Sequence, residues 1–108
     1  MDDAELLRIV AGRLEDLAAR TTAGDWRIGG LLATRPEVIA HRPGGTTEHV
    51  AEARAGTAAW IAALSPAVAG PLADWLRAAA QRFPVDPAAL ELAGSLLERL
   101  PSTGAPNR

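Results

Sequence analysis

Four prolines fall between residues 66 and 87, at Pro66, Pro71, Pro84 and Pro87, and they decide how the apolar C-terminal half of the chain is cut into helices. Proline has no backbone donor and a fixed φ, so a helix accepts it in its first turn and not in its interior. Ser65-Pro66 and Asp86-Pro87 both pair an N-cap residue with proline at the first helical position. The segmentation predicts a helix over about 56–64, a second after Ser65-Pro66 and a third after Asp86-Pro87. In the second, Val68, Leu72, Trp75, Leu76, Ala79 and Phe83 share one apolar face. Gly70-Pro71 predicts a kink or a late start there, and Phe83-Pro84 ends it. In the third, Leu90, Leu92, Ala93, Leu96, Leu97 and Leu100 fill the inward side. The weakly charged stretch Ala55–Ala73 carries two of these breaks, so a membrane span is not expected.

The N-terminal half has a different grammar. Asp2 followed by Glu5 has the form of a capping box, with Asp in place of Ser or Thr. Leu7, Val10, Ala11, Leu14, Leu17 and Ala18 follow at helical spacing, which predicts a helix over about 3–20. Thr21-Thr22-Ala23-Gly24 ends it, with Gly24 suited to a positive φ. Trp26 and Ile28 then alternate with Arg27, as in a strand. Gly29-Gly30 suggests a bulge or tight turn before Leu31 to Thr34. Glu37 to Arg42 reads as a second strand and Pro43-Gly44-Gly45 as a turn. His49 to Ala53 fits a third strand; a longer helix through Val50, Ala53, Thr57, Trp60, Ile61 and Leu64, interrupted by Gly56, competes with it. The preferred order is helix, a small antiparallel meander of two or three strands, then three helices packed on it, an α+β class. Residues 1–100 are expected to form one domain and 101–108 a flexible tail. Trp26 is expected to be mostly buried where the sheet begins.

Composition narrows the chemistry. The 108-residue chain has no Cys, which excludes disulfides, thiolate catalysis and Cys-based zinc sites. The acidic opening Met1-Asp2-Asp3-Ala4-Glu5 is unlike a signal peptide, and a cytoplasmic location is expected. The net charge is −2, and all 11 basic residues are Arg. They are dispersed among acids rather than gathered into the basic patch that nucleic-acid binding needs.

The candidate reactive groups are few. His41 and His49 flank the Pro43-Gly44-Gly45 turn, with Glu37, Glu48 and Glu52 close in sequence; a hairpin would bring them near one another, and a His/His/carboxylate set suits zinc or iron. Surface histidines are the simpler reading. Asp2, Asp25 and Asp86 are accounted for by turns and helix starts, and Ser65 by capping, without a nucleophile-elbow context. No phosphate-loop pattern is present. No cofactor, small-molecule ligand or catalytic set is expected. Trp60 and Trp75 lie on apolar faces of neighbouring predicted helices, which suggests a shared core; the alternative is an apolar stripe for a partner, formed by Trp60, Trp75, Leu72, Ala59 and Ala63.

Thr22-Ala23-Gly24-Asp25-Trp26 and Thr57-Ala58-Ala59-Trp60-Ile61-Ala62 together resemble two segments of the Ead-like proteins of actinobacteria and their phages: the "ATPGPW" turn after an N-terminal helix, and the "DAxFIA" helix start after a meander. The resemblance covers about residues 4–82. Ala23 and Asp25 replace both prolines of the turn, and Thr57 replaces the acidic residue of the helix motif. It implies a phage or mobile-element origin and favours the strand reading of His49 to Ala53. It implies no reaction and carries over no catalytic residue.

The function expected from these features is a non-enzymatic accessory protein that binds another protein or itself. The alanines Ala58, Ala59, Ala62 and Ala63 permit close helix approach in a homodimer. A DNA-binding regulator is the alternative, since two helices joined at Ser65-Pro66 superficially match a helix-turn-helix; yet Arg77, Gln81 and Arg82 lie toward the end of the second helix rather than its start. A metal-binding or hydrolytic protein using His41, His49 and Glu52 is the third reading.

Overall fold

Asp2 sits in extended backbone, and its carboxylate accepts the Glu5 amide at 2.7 Å. That bond satisfies one of the orphan donors of a helix start, and α1 runs from it over Asp3–Ala19. The computed structural model describes residues 1–29 and 35–102. Within them β1 (Asp25–Gly29), β2 (Glu37–His41), β3 (Thr47–Glu52), α2 (Ala55–Ala63), a 3-10 turn (Pro66–Val68), α3 (Ala69–Ala80) and α4 (Pro87–Arg99) follow in order. The class is α+β, with the strand reading of the His49 region correct and its start two residues earlier, at Thr47. The turn expected at Gly29-Gly30, the residues Leu31 to Thr34, and the tail beyond Ser102 lie outside the described residues.

The chain divides into two compact units: Met1–Arg20 with the described residues from Ala69 onward, and Thr21–Val68.

In the helical unit, α1 packs chiefly on α3 and also on α4. Leu7, Val10 and Ala11 from α1 meet Ala73, Leu76 and Ala80 from α3, Ala89 and Ala93 from α4, and Val85 between them. Small side chains dominate, which lets helix backbones approach closely and leaves Leu7 and Leu76 among the largest fully buried groups. Ser65-Pro66 does not start α3. The Ser65 hydroxyl accepts only a long bond from Ala67, at 3.4 Å, and caps the 3-10 turn. α3 starts late, at Ala69, so Pro71 falls in its first turn, where its missing donor costs nothing. Asp86 caps α4 by accepting the Ala88 amide at 2.9 Å, with Pro87 next.

Two sequence expectations change here. Phe83 does not continue the apolar face of α3, because the helix stops at Ala80; its side chain is 97% exposed, and Val85 enters the core instead. On α4 the fully buried residues are Ala89 and Ala93, while Leu90, Leu96, Leu97 and Leu100 pack partly buried around them and Leu92 lies outside the cluster. Trp26, in the other unit, is mostly covered, as expected.

The sheet of the second unit has the order β1-β2-β3 and is antiparallel throughout. Trp26 pairs with Ala40 and Ile28 with Val38, so these four share one face. α2 covers β1 and β2. Val38, Ala40 and Ala58 are fully buried. Gly24 turns the chain into β1 at φ +117. The β2–β3 hairpin closes through Gly44 and Gly45, both at positive φ, and the Arg42 amide bonds the Thr46 carbonyl at 2.9 Å.

Candidate functional site

The register places the histidines before their chemistry is considered. His41 opposes Thr47 and His49 opposes Ile39, so both histidines lie on the sheet face away from Trp26 and Val38. The nearby carboxylates each belong to a separate pair. Glu37 lies 3.7 Å from His49 Nδ1, Glu52 lies 3.6 Å from Arg35, and Glu48 pairs with Arg42 while accepting the Thr22 hydroxyl at 3.4 Å. Among the described residues no three His, Asp or Glu side chains are grouped to hold a metal ion. The register irregularity between Val38 and Ile39 leaves Glu37 and Glu52 opposite each other, with Glu37 beside His49 and Glu52 beside Arg35. A zinc or iron centre built on His41, His49 and Glu52 is therefore not assembled here.

The ion pairs are surface features with a structural role. Arg77 grips Glu15 with two bonds, at 2.5 and 2.7 Å, and ties α3 to α1. The Arg77 hydrogen bonds hold the Glu15 carboxyl below the ordinary carboxylate range, and Arg42 does the same to Glu48. A carboxyl with a lower pKa in the folded than in the unfolded chain favours folding above its unfolded value, and the gain is lost as pH falls through the folded value. Stability is thus expected to drop on acidification through and below the ordinary carboxylate range. Glu15→Gln should lower the urea midpoint slightly at neutral pH and flatten the acid side of the profile; an unchanged acid slope would count against the Arg77 pair. Arg77 is thus paired with Glu15, and Gln81 and Arg82 lie beyond the end of α3.

Trp60 and Trp75 depart from the shared-core expectation, while Trp26 does not bear on it. Trp26 stays at the sheet, where its indole N–H donates to the Thr22 carbonyl at 3.0 Å. Trp75 is 45% exposed, because the inward positions of α3 are taken by Ala73 and Leu76 on either side of it. Leu72 packs against the helical core. Trp60 is 68% exposed and Leu64, one turn on, 54%. Both lie on the side of α2 away from Ala58, its fully buried residue. Ala59 and Ala63 are exposed beside them.

α2 reads Ala-Gly-Thr-Ala-Ala-Trp-Ile-Ala-Ala and carries no charge on any side. A helix that is apolar all round is normally enclosed all round, in a protein core or in a bilayer. The run Ala55–Ala80 is, by length and composition alone, long and apolar enough to cross a membrane. It is divided into α2, the 3-10 turn and α3, and α3 commits Ala73, Leu76 and Ala80 to the helical core. Leu64 is the residue the sequence pattern missed: it was assigned to a helix face without being recognised as part of an exposed one. Its i, i+4 relation to Trp60 was the available signal.

No family model matches the chain, and neither the curated proteins nor the solved structures give a match.

Proposed function

We propose that this chain is a non-enzymatic accessory protein of the cytoplasm, of phage or mobile-element origin, that acts by binding another protein or itself through the outward face of α2. One observation carries the reading: a charge-free helix is covered only along its Ala58 side, leaving Trp60, Leu64, Ala59 and Ala63 to water. Contiguous exposed apolar surface marks an interaction site, and a tryptophan at its centre is a typical binding anchor. A lipid surface fits less well, because helices that lie on membranes carry Lys or Arg on their polar side and α2 has neither. The Ead-like resemblance, which includes Trp60 in its helix segment, supports the proposed origin.

Trp60→Glu tests the reading. The residue is exposed, so the far-UV spectrum and melting temperature should stay near those of the parent chain, while association with the physiological partner, captured from the source cells or as a second copy, should fall at least tenfold. Association that is indifferent to Trp60→Glu would overturn it.

A further inference from the structure

We infer that α2 is a releasable strap across the sheet, and that its opening uncovers the Val38 and Ala40 side of β2 while the strands stay paired. Opening is a property of the free chain and does not depend on what docks on the outer face of α2.

The devices that fix α1 and α4 are missing from α2. Asp2 caps α1 and Asp86 caps α4, each through a carboxylate that accepts a backbone amide. α2 starts from Arg54, whose backbone is extended as an N-cap residue requires, but whose side chain makes no capping bond. A cation at that end also opposes the helix dipole, and α2 has neither an acid in its first turn nor a base in its last to offset it. Gly56 falls in the first turn, where glycine costs backbone entropy that alanine does not. No atom lies within 4 Å of the place its Cβ would take, so packing does not require the glycine. At 9 residues α2 is shorter than the roughly 12–15 that a helix needs to persist alone in water. Tertiary contacts must hold it.

Those contacts are thin. Ala58 is the one fully buried residue of α2, and Ile61 and Ala62 are partly buried. Trp60 and Leu64, the side chains with the most apolar area to remove from water, point outward. By contrast α1 and α3 commit Leu7 and Leu76 to the helical core. The sheet does not need α2 for its hydrogen bonds, because β2 is the central strand and pairs on both sides. The strap is held at its two ends: the Ala53 amide bonds the Pro36 carbonyl at 3.2 Å just before it, and Ser65 is buried just after it. A segment with little buried apolar surface between fixed ends is one that opens ahead of global unfolding.

Amide hydrogen exchange of the dilute chain reads the opening. The bonded amides from Ala58 to Leu64 should exchange at least about tenfold faster than those of β2. Arg54→Ser supplies the missing cap and Gly56→Ala removes the glycine. Each should slow exchange in α2 by about threefold to fivefold and leave β2 unchanged. Because the chain has no cysteine, Val38→Cys places a single thiol beneath the strap. Its alkylation should be slowed by the same two substitutions and to the same extent. Equal exchange in α2 and β2, equal slowing of both elements by Arg54→Ser and Gly56→Ala, or a Val38→Cys thiol whose reactivity ignores those substitutions would each overturn the strap. If Val38→Cys does not fold, the exchange comparison decides alone. All of this is measured without a partner, so its failure leaves the docking role standing, and loss of Trp60-dependent association leaves the strap standing.

Discussion

Leu76→Ala is expected to destabilise the helical unit by about 2–5 kcal/mol, the range for a fully buried leucine cut to alanine. Leu76 is completely buried and sits where α3 meets α1, with Leu7 and Val10 in the same cluster. The remaining core positions are mostly alanine: Ala11, Ala73, Ala80, Ala89 and Ala93. Alanine has no side-chain torsion with which to fill a void, so the site collapses poorly and the cost falls in the upper half of the range. Urea unfolding followed by far-UV circular dichroism provides the measurement. Trp75→Ala, one residue earlier and half outside, is the control, with an expected change within about 1 kcal/mol. If the two substitutions cost the same, the assignment of the inward face of α3 is wrong.

Gly24→Ala should cost at least about 1–3 kcal/mol in the sheet unit, the range for a residue forced into a sparsely populated backbone conformation. At φ +117 the position disfavours any side chain, and a Cβ there would stand 2.9 Å from the His41 carbonyl oxygen. The strain arises where β1 begins, because the next residue, Asp25, pairs with His41. Relief requires moving that pair, which also shifts Trp26 from its bond to Thr22. Faster amide exchange confined to β1 and the facing end of β2, with α1, α3 and α4 unchanged, is the expected pattern. Unaltered exchange in β1 would mean that Gly24 is not what turns the chain.

Much of the fold was legible because the chain advertises its boundaries. Asp2 and Asp86 cap as their positions imply, Gly24 takes the positive φ, and alternation around Trp26 and within Glu37 to Arg42 marks strands. The failures share a physical origin. On an apolar helix such as α2 every residue is a candidate for the inside, so periodicity does not tell Ala58 from Trp60. Counting helical spacing past Ala80 carried Phe83 inward, although the chain had already left the helix. Ala89 was missed because alanine is nearly neutral in a hydrophobicity pattern, while close helix packing favours it for its size. The histidine region turns on register: the irregularity between Val38 and Ile39 sets which groups oppose each other, with Glu37 beside His49, and nothing in the local sequence announces it. Of the candidate interface residues, Trp60, Ala59 and Ala63 fall on one exposed face of α2, whereas Leu72 belongs to the packing of the helical unit.

Trp60 is exposed in the free chain and should be covered on association, and the three indole N–H signals of the protein report on this separately. In dilute solution the Trp60 indole proton should exchange with solvent fastest, and the Trp26 proton slowest because it is bonded to the Thr22 carbonyl. As the chain is concentrated or its partner is added, the Trp60 signal alone should shift and gain protection. A Trp60 proton already protected in the dilute monomer, or one that neither shifts nor slows when the protein associates, would contradict the assignment of the α2 face as the binding surface.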